Sequence, residues 1–117
     1  MGYYSNFDFY LDIEDISVNK VKNIANSTLG EWVSESLEID EYTLGVTISG
    51  FIDNIKWYSF TEDMLKFQDA ILDAGGTFSD GNITRQGEEA GDGERFVVGG
   101  TSLQREVSTL QWVPAED

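Results

Sequence analysis

The chain has 117 residues, with 22 Asp and Glu against seven Lys and Arg, giving a formal net charge of −15. It contains neither cysteine nor histidine, which excludes disulfides, thiolate and imidazole metal sites, Cys–His dyads and Ser-His-Asp triads. The charge itself opposes binding to nucleic acid or to anionic lipid.

The length is that of one ordinary domain, and a hydrophobic content of 40% with 13% aromatics supplies the material for one core. From Tyr3 to Ile13 the pattern alternates. Phe7, Phe9, Leu11 and Ile13 fall on one face, with Asp8, Tyr10 and Asp12 on the other, which predicts a half-buried strand. Ser17 is placed to cap a helix whose inward positions are Val18, Val21, Ile24 and Ala25. Gly30 follows where a C-terminal glycine belongs.

Glu31 to Glu41 carries no long period, and we read it as a short helical turn leading into a loop. Leu44, Val46 and Ile48 alternate as a second strand. Asp53-Asn54 signals a turn, and Ile55-Lys56-Trp57-Tyr58 reads as a further strand. Thr61 is placed to cap the clearest helix, with Glu62 and Asp63 in its first turn, where the helix dipole favours anions. Met64, Phe67, Ile71 and Leu72 form its inward stripe, and Gly75-Gly76 ends it. Strands are expected at 77–86, 94–98 and 102–113.

The expected architecture is therefore α+β, in the order β-α-β-β-α-β-β-β. It is a mainly antiparallel sheet of five to six strands with two helices on one face. Residues 1–113 form the single domain, and 114–117 a short acidic tail. The opening residues carry no basic region followed by an apolar run, so no signal peptide is expected. No apolar stretch approaches the ~20 residues that span a bilayer, and a cytoplasmic location follows as the expectation.

The turn Gly87-Glu88-Glu89-Ala90-Gly91-Asp92-Gly93-Glu94 gathers carboxylates on a glycine-rich loop. A hard cation such as Ca²⁺ could use them, but the spacing matches no EF-hand, and a solvated hairpin tip has the same composition. No cofactor or metal is expected. The aromatics Trp32, Trp57 and Tyr58 lack the surrounding Lys and Arg of a base-stacking platform, which leaves packing or anchoring of a partner.

The acids themselves are the sharper signal. Asp8, Asp12, Glu14 and Asp15 run along and after the first strand, and Glu31, Glu35, Glu38, Asp40 and Glu41 crowd the middle. With Glu88, Glu89, Asp92 and Glu94 they form the candidate partner-binding set. A net charge magnitude of ~2–8 is enough to keep a small domain soluble; this chain goes well beyond it. Spaced carboxylates on a rigid surface can imitate duplex phosphates and occupy a nucleic-acid groove on a basic partner. The expectation is a binding protein and no enzyme, its partner a basic protein or nucleoprotein complex.

Met1-Gly2-Tyr3-Tyr4-Ser5-Asn6, together with Lys56-Trp57-Tyr58, Glu62-Asp63-Met64 and Gly87-Glu88-Glu89-Ala90-Gly91-Asp92, resembles a family of small uncharacterised bacteriophage and actinobacterial proteins. The family has an aromatic after the Gly-Asp pair, where this chain has Gly93-Glu94. The resemblance implies a phage or prophage setting, where small acidic proteins often inhibit host machinery such as restriction or CRISPR nucleases. A binder of a small nucleotide signal and an accessory virion component stand as alternatives. The first would need Lys20, Lys22, Lys56, Lys66, Arg85, Arg95 and Arg105 to converge, at least three in one cleft.

Overall fold

The computed structural model describes residues 4–87, 92–100, 102–108 and 112–114. Its elements are β1 (Ser5–Glu14), α1 (Val18–Thr28), α2 (Glu31–Glu35), β2 (Glu38–Tyr42), β3 (Gly45–Ile55), α3 (Phe60–Asp73), β4 (Thr77–Gln86), β5 (Gly93–Gly99), β6 (Ser102–Ser108) and β7 (Trp112–Pro114). The strands form one antiparallel sheet in the order β2-β3-β1-β4-β5-β6-β7. The fold is α+β.

β1 is the organising strand, paired with β3 on one side and β4 on the other. Its inward residues Phe7, Phe9, Leu11 and Ile13 are buried, as the alternation predicts. They share one core with Val46, Ile48, Phe78, Ile83 and Phe96 from neighbouring strands, and with Val21, Ile24, Met64, Phe67 and Ile71 from the helices. All three helices therefore lie on one face of the sheet, and burial of these large apolar side chains is the main stabilising term. Glycines at two positions let the flanking strands close on β1. A Cβ at Gly45 would collide with the Ile13 carbonyl oxygen, and one at Gly81, whose φ is 106°, with that of Tyr10.

Several boundaries differ from the sequence expectation. Residues 38–42 form an edge strand and not a loop, because Leu37 and Ile39 are buried between exposed Glu38 and Asp40. Acidic residues have low strand propensity and hide that alternation. β3 runs from Gly45 to Ile55 with a bulge at Asp53-Asn54, where the register against β1 shifts and Asn54 takes φ 55°, so Ile55 is its end and not the start of another strand. Beyond it, Trp57 leaves the sheet to pack its ring against Phe7 and Phe60, at centroid distances of 5.1 and 5.0 Å.

α3 begins two residues earlier than expected, with Ser59 at its N-cap. Thr61 lies inside the helix and Leu72 is exposed, while Phe60 takes the inward position. The segment 102–113 is two strands, and β7 reaches Pro114, so that residue belongs to the sheet and not to the tail. Among the described residues no helix is long and apolar enough to cross a membrane.

Candidate functional site

With the helices on one side, the other side of the sheet is open. Alternation places Asp8, Tyr10, Asp12 and Glu14 of β1 there. Strand register then sets their neighbours. Asp12 lies between Thr47 of β3 and Asp80 of β4, and Thr47 in turn pairs with Asp40 of β2. Tyr10 lies between Ser49 and Asn82, with Glu38 beyond Ser49. Asp8 lies between Phe51 and Thr84.

Among the described residues, seven carboxylates thus share one face by register: Asp8, Asp12, Glu14, Glu38, Asp40, Asp80 and Glu106, the last opposite Arg95 of β5. Neighbouring strands are about 4.8 Å apart, and same-face residues along a strand about 6.8 Å. The sheet therefore holds these charges on a lattice whose spacing side-chain flexibility can only blur.

Few cations oppose them. Lys20 and Lys22 are on α1, Lys66 is on α3, and Lys56 sits 5.0 Å from the Tyr4 ring centroid. Arg85 and Arg105 point to the helix side. Of the three arginines only Arg95 is on the open face, where its Nε bonds Glu106 Oε1 at 2.7 Å.

Hydrogen bonds hold the centre of the patch. Thr47 Oγ1 donates to Asp12 Oδ1 at 2.8 Å, and the Tyr10 hydroxyl donates to Asp12 Oδ2 at 3.3 Å. The Tyr10 phenol is pushed above its ordinary value of 10.0, chiefly by the Asp12 charge, then by that hydrogen bond, with Asp80 acting in the same direction. Negative potential on this face is felt by its own tyrosine.

Of the other acids singled out in the sequence, Asp15 is exposed in the turn after β1, with φ at 63°. Glu31 and Glu35 are exposed on α2, in the helix layer. Glu41 is exposed at the sheet edge opposite Val46, hence directed to the helix side. Glu88 and Glu89 lie outside the described residues.

Asp92 and Glu94 belong to a different structure altogether. Glu94, only 7% exposed, accepts from Arg85 Nε (3.1 Å), Arg105 Nε (2.8 Å) and Thr61 Oγ1 (2.9 Å). Arg85 also reaches Asp92 Oδ1 at 3.0 Å and Ser5 Oγ at 3.2 Å. Nearby, Trp57 Nε1 and Ser59 Oγ both donate to Asp63 Oδ2 at 2.8 Å.

This network ties β1, β4, β5 and β6 to the start of α3 and borders a cleft of about 200 Å³ lined by Trp57, Tyr58, Arg85 and Glu94. Each guanidinium nitrogen of Arg85 and both oxygens of Glu94 are engaged, and among the described residues no buried side-chain polar atom lacks a partner. Such a closed ion network fixes geometry; it offers neither a ready base nor an open cation. Only two of the seven cations converge here, short of the three that an anionic-ligand cleft would need.

Asp80 and Glu106 are acids of this face that sequence reading missed. Phe78 and Ile83 are both buried although they stand five positions apart, an odd step that strict alternation would put on opposite faces. The register shift opposite Asp12 and Ile13 changes the phase and turns Asp80 outward. That odd spacing between two apolar residues was the available signal. No family model, curated protein or solved structure gives a significant match to this chain.

Proposed function

We propose that this protein is a binding module whose open sheet face docks on a Lys/Arg-rich groove of a nucleic-acid-handling protein and blocks entry of the nucleic acid. The observation that supports this reading is the segregation of charge. Among the described residues seven carboxylates stand on one face, and its single arginine is already paired with one of them, Glu106. A surface tuned only for solubility would intersperse both signs.

The mechanism is electrostatic and steric. Attraction between the acidic face and a basic groove speeds encounter, and the sheet then fills the space a duplex would take. The phage resemblance directs the choice of target to host restriction and CRISPR effector complexes. The test is competition: the chain is titrated against duplex DNA bound to a panel of such basic effectors, from ~50 mM to ~200 mM salt. Displacement that weakens steeply with salt supports the proposal. Displacement insensitive to salt, or none from any member of the panel, contradicts it.

A further inference from the structure

Two aromatic side chains stand on the acidic face where packing does not require them. Phe51 is 60% exposed and Tyr10 47% exposed. Phe51 is directly opposite Asp8 in the β1–β3 register, and Tyr10, opposite Ser49, is its diagonal neighbour. Directly opposed residues have Cβ atoms about 5 Å apart and diagonal ones about 7–8 Å, close enough for aromatic rings to act together. β2 ends its pairing at Ser49, so no strand of the described residues flanks Phe51 on its outer side.

Asp8 is exposed directly opposite Phe51 and two positions before Tyr10, whose hydroxyl bonds Asp12, and has no hydrogen bond or ion pair among the described residues. The nearest cation in register, Arg95, lies across β4 from it and is bonded to Glu106.

Resting on the docking reading above, we infer that Asp8, Tyr10 and Phe51 form a notch that reads an arginine side chain of the partner. A guanidinium is planar and weakly hydrated, stacks on aromatic faces and forks onto a carboxylate. The notch offers both aromatic rings and an uncommitted carboxylate at strand spacing. An ammonium would find the charge but gain less from the rings, because it is compact and strongly hydrated. The remaining acids steer; the notch discriminates.

The test compares nona-arginine and nona-lysine peptides, equal in charge, binding to the full chain at ~50 mM salt. Each ring contributes an arginine preference of about two- to five-fold if it acts as an exposed cation–π partner. The wild type is expected to bind nona-arginine tighter by that margin or more. The double variant Tyr10→Thr, Phe51→Thr keeps strand propensity and is expected to lose the preference while its affinity for nona-lysine stays within about two-fold. Equal affinity of the wild type for both peptides, or a preference that survives in the double variant, overturns the notch and leaves the docking reading standing. Failure of both peptides to bind overturns the two together.

Discussion

Asp12 and Asp80 oppose each other across the β1–β4 pair, two like charges in register on the open face of the sheet. Such pairs weaken a sheet, and local bonds only orient these two. Thr47 and Tyr10 hold Asp12, while Asp80 accepts from the Gly81 backbone N–H at 2.9 Å. The arrangement concentrates negative charge on the open face of the sheet.

Asp80→Asn keeps the acceptor for Gly81 and removes the repulsion. The variant should unfold at a higher urea midpoint with an unchanged slope, a gain of roughly 0.2–1 kcal/mol for relief of a like-charge pair. A lower midpoint would mean that the opposed carboxylates are not in conflict.

Glu94 should behave in the opposite sense. Glu94→Ala removes the half-buried carboxylate that Arg85 and Arg105 share, leaving Arg85 its bonds to Asp92 and Ser5. Breaking a buried ion network in this way costs about 3–5 kcal/mol, a large part of the 5–15 kcal/mol that stabilises typical domains. Chemical denaturation measures it, and a loss below ~1 kcal/mol, typical of surface pairs, would show that the network is a surface ornament.

The phenol of Tyr10 reports the field directly. Its pKa is raised in the folded state by Asp12, so the neutral form is favoured by folding. That contribution is complete below the unfolded value near 10 and is lost as pH rises through the folded value. In Asp12→Asn the Tyr10 ring resonances should titrate at lower pH than in the wild type, closer to the ordinary value. An unchanged Tyr10 titration would remove Asp12 as the cause.

Much of the fold was legible in the residues. β1, α1 and α3 follow from alternation or helical spacing, because each has a clean apolar face and a polar one. The edge strand β2 was not, since Glu38, Asp40 and Glu41 disguise an alternation carried only by Leu37 and Ile39. Nor was the continuity of β3, where Asp53-Asn54 carries a turn composition inside a paired strand.

Three of the seven acids on the open face, Asp8, Asp12 and Glu14, could be read from β1 alone. Their gathering with Glu38, Asp40, Asp80 and Glu106 depends on strand order and on one register shift, neither of which is local. Glu94 shows the same limit from the other side: no neighbour in sequence announces that Arg85, Arg105 and Thr61 will close around it.

If the open face docks as proposed, the position of the negative charge matters and its total does not. Two variants of equal net charge decide this. In one, Asp8, Asp12, Glu38 and Asp40 on the open face become Asn or Gln. In the other, Glu31, Glu35, Glu62 and Asp69 on the helix side do. Association with a basic target that the wild type blocks should collapse in the first variant and persist in the second. Equal weakening in both would show that the chain acts by bulk charge and that the sheet face has no special part in it.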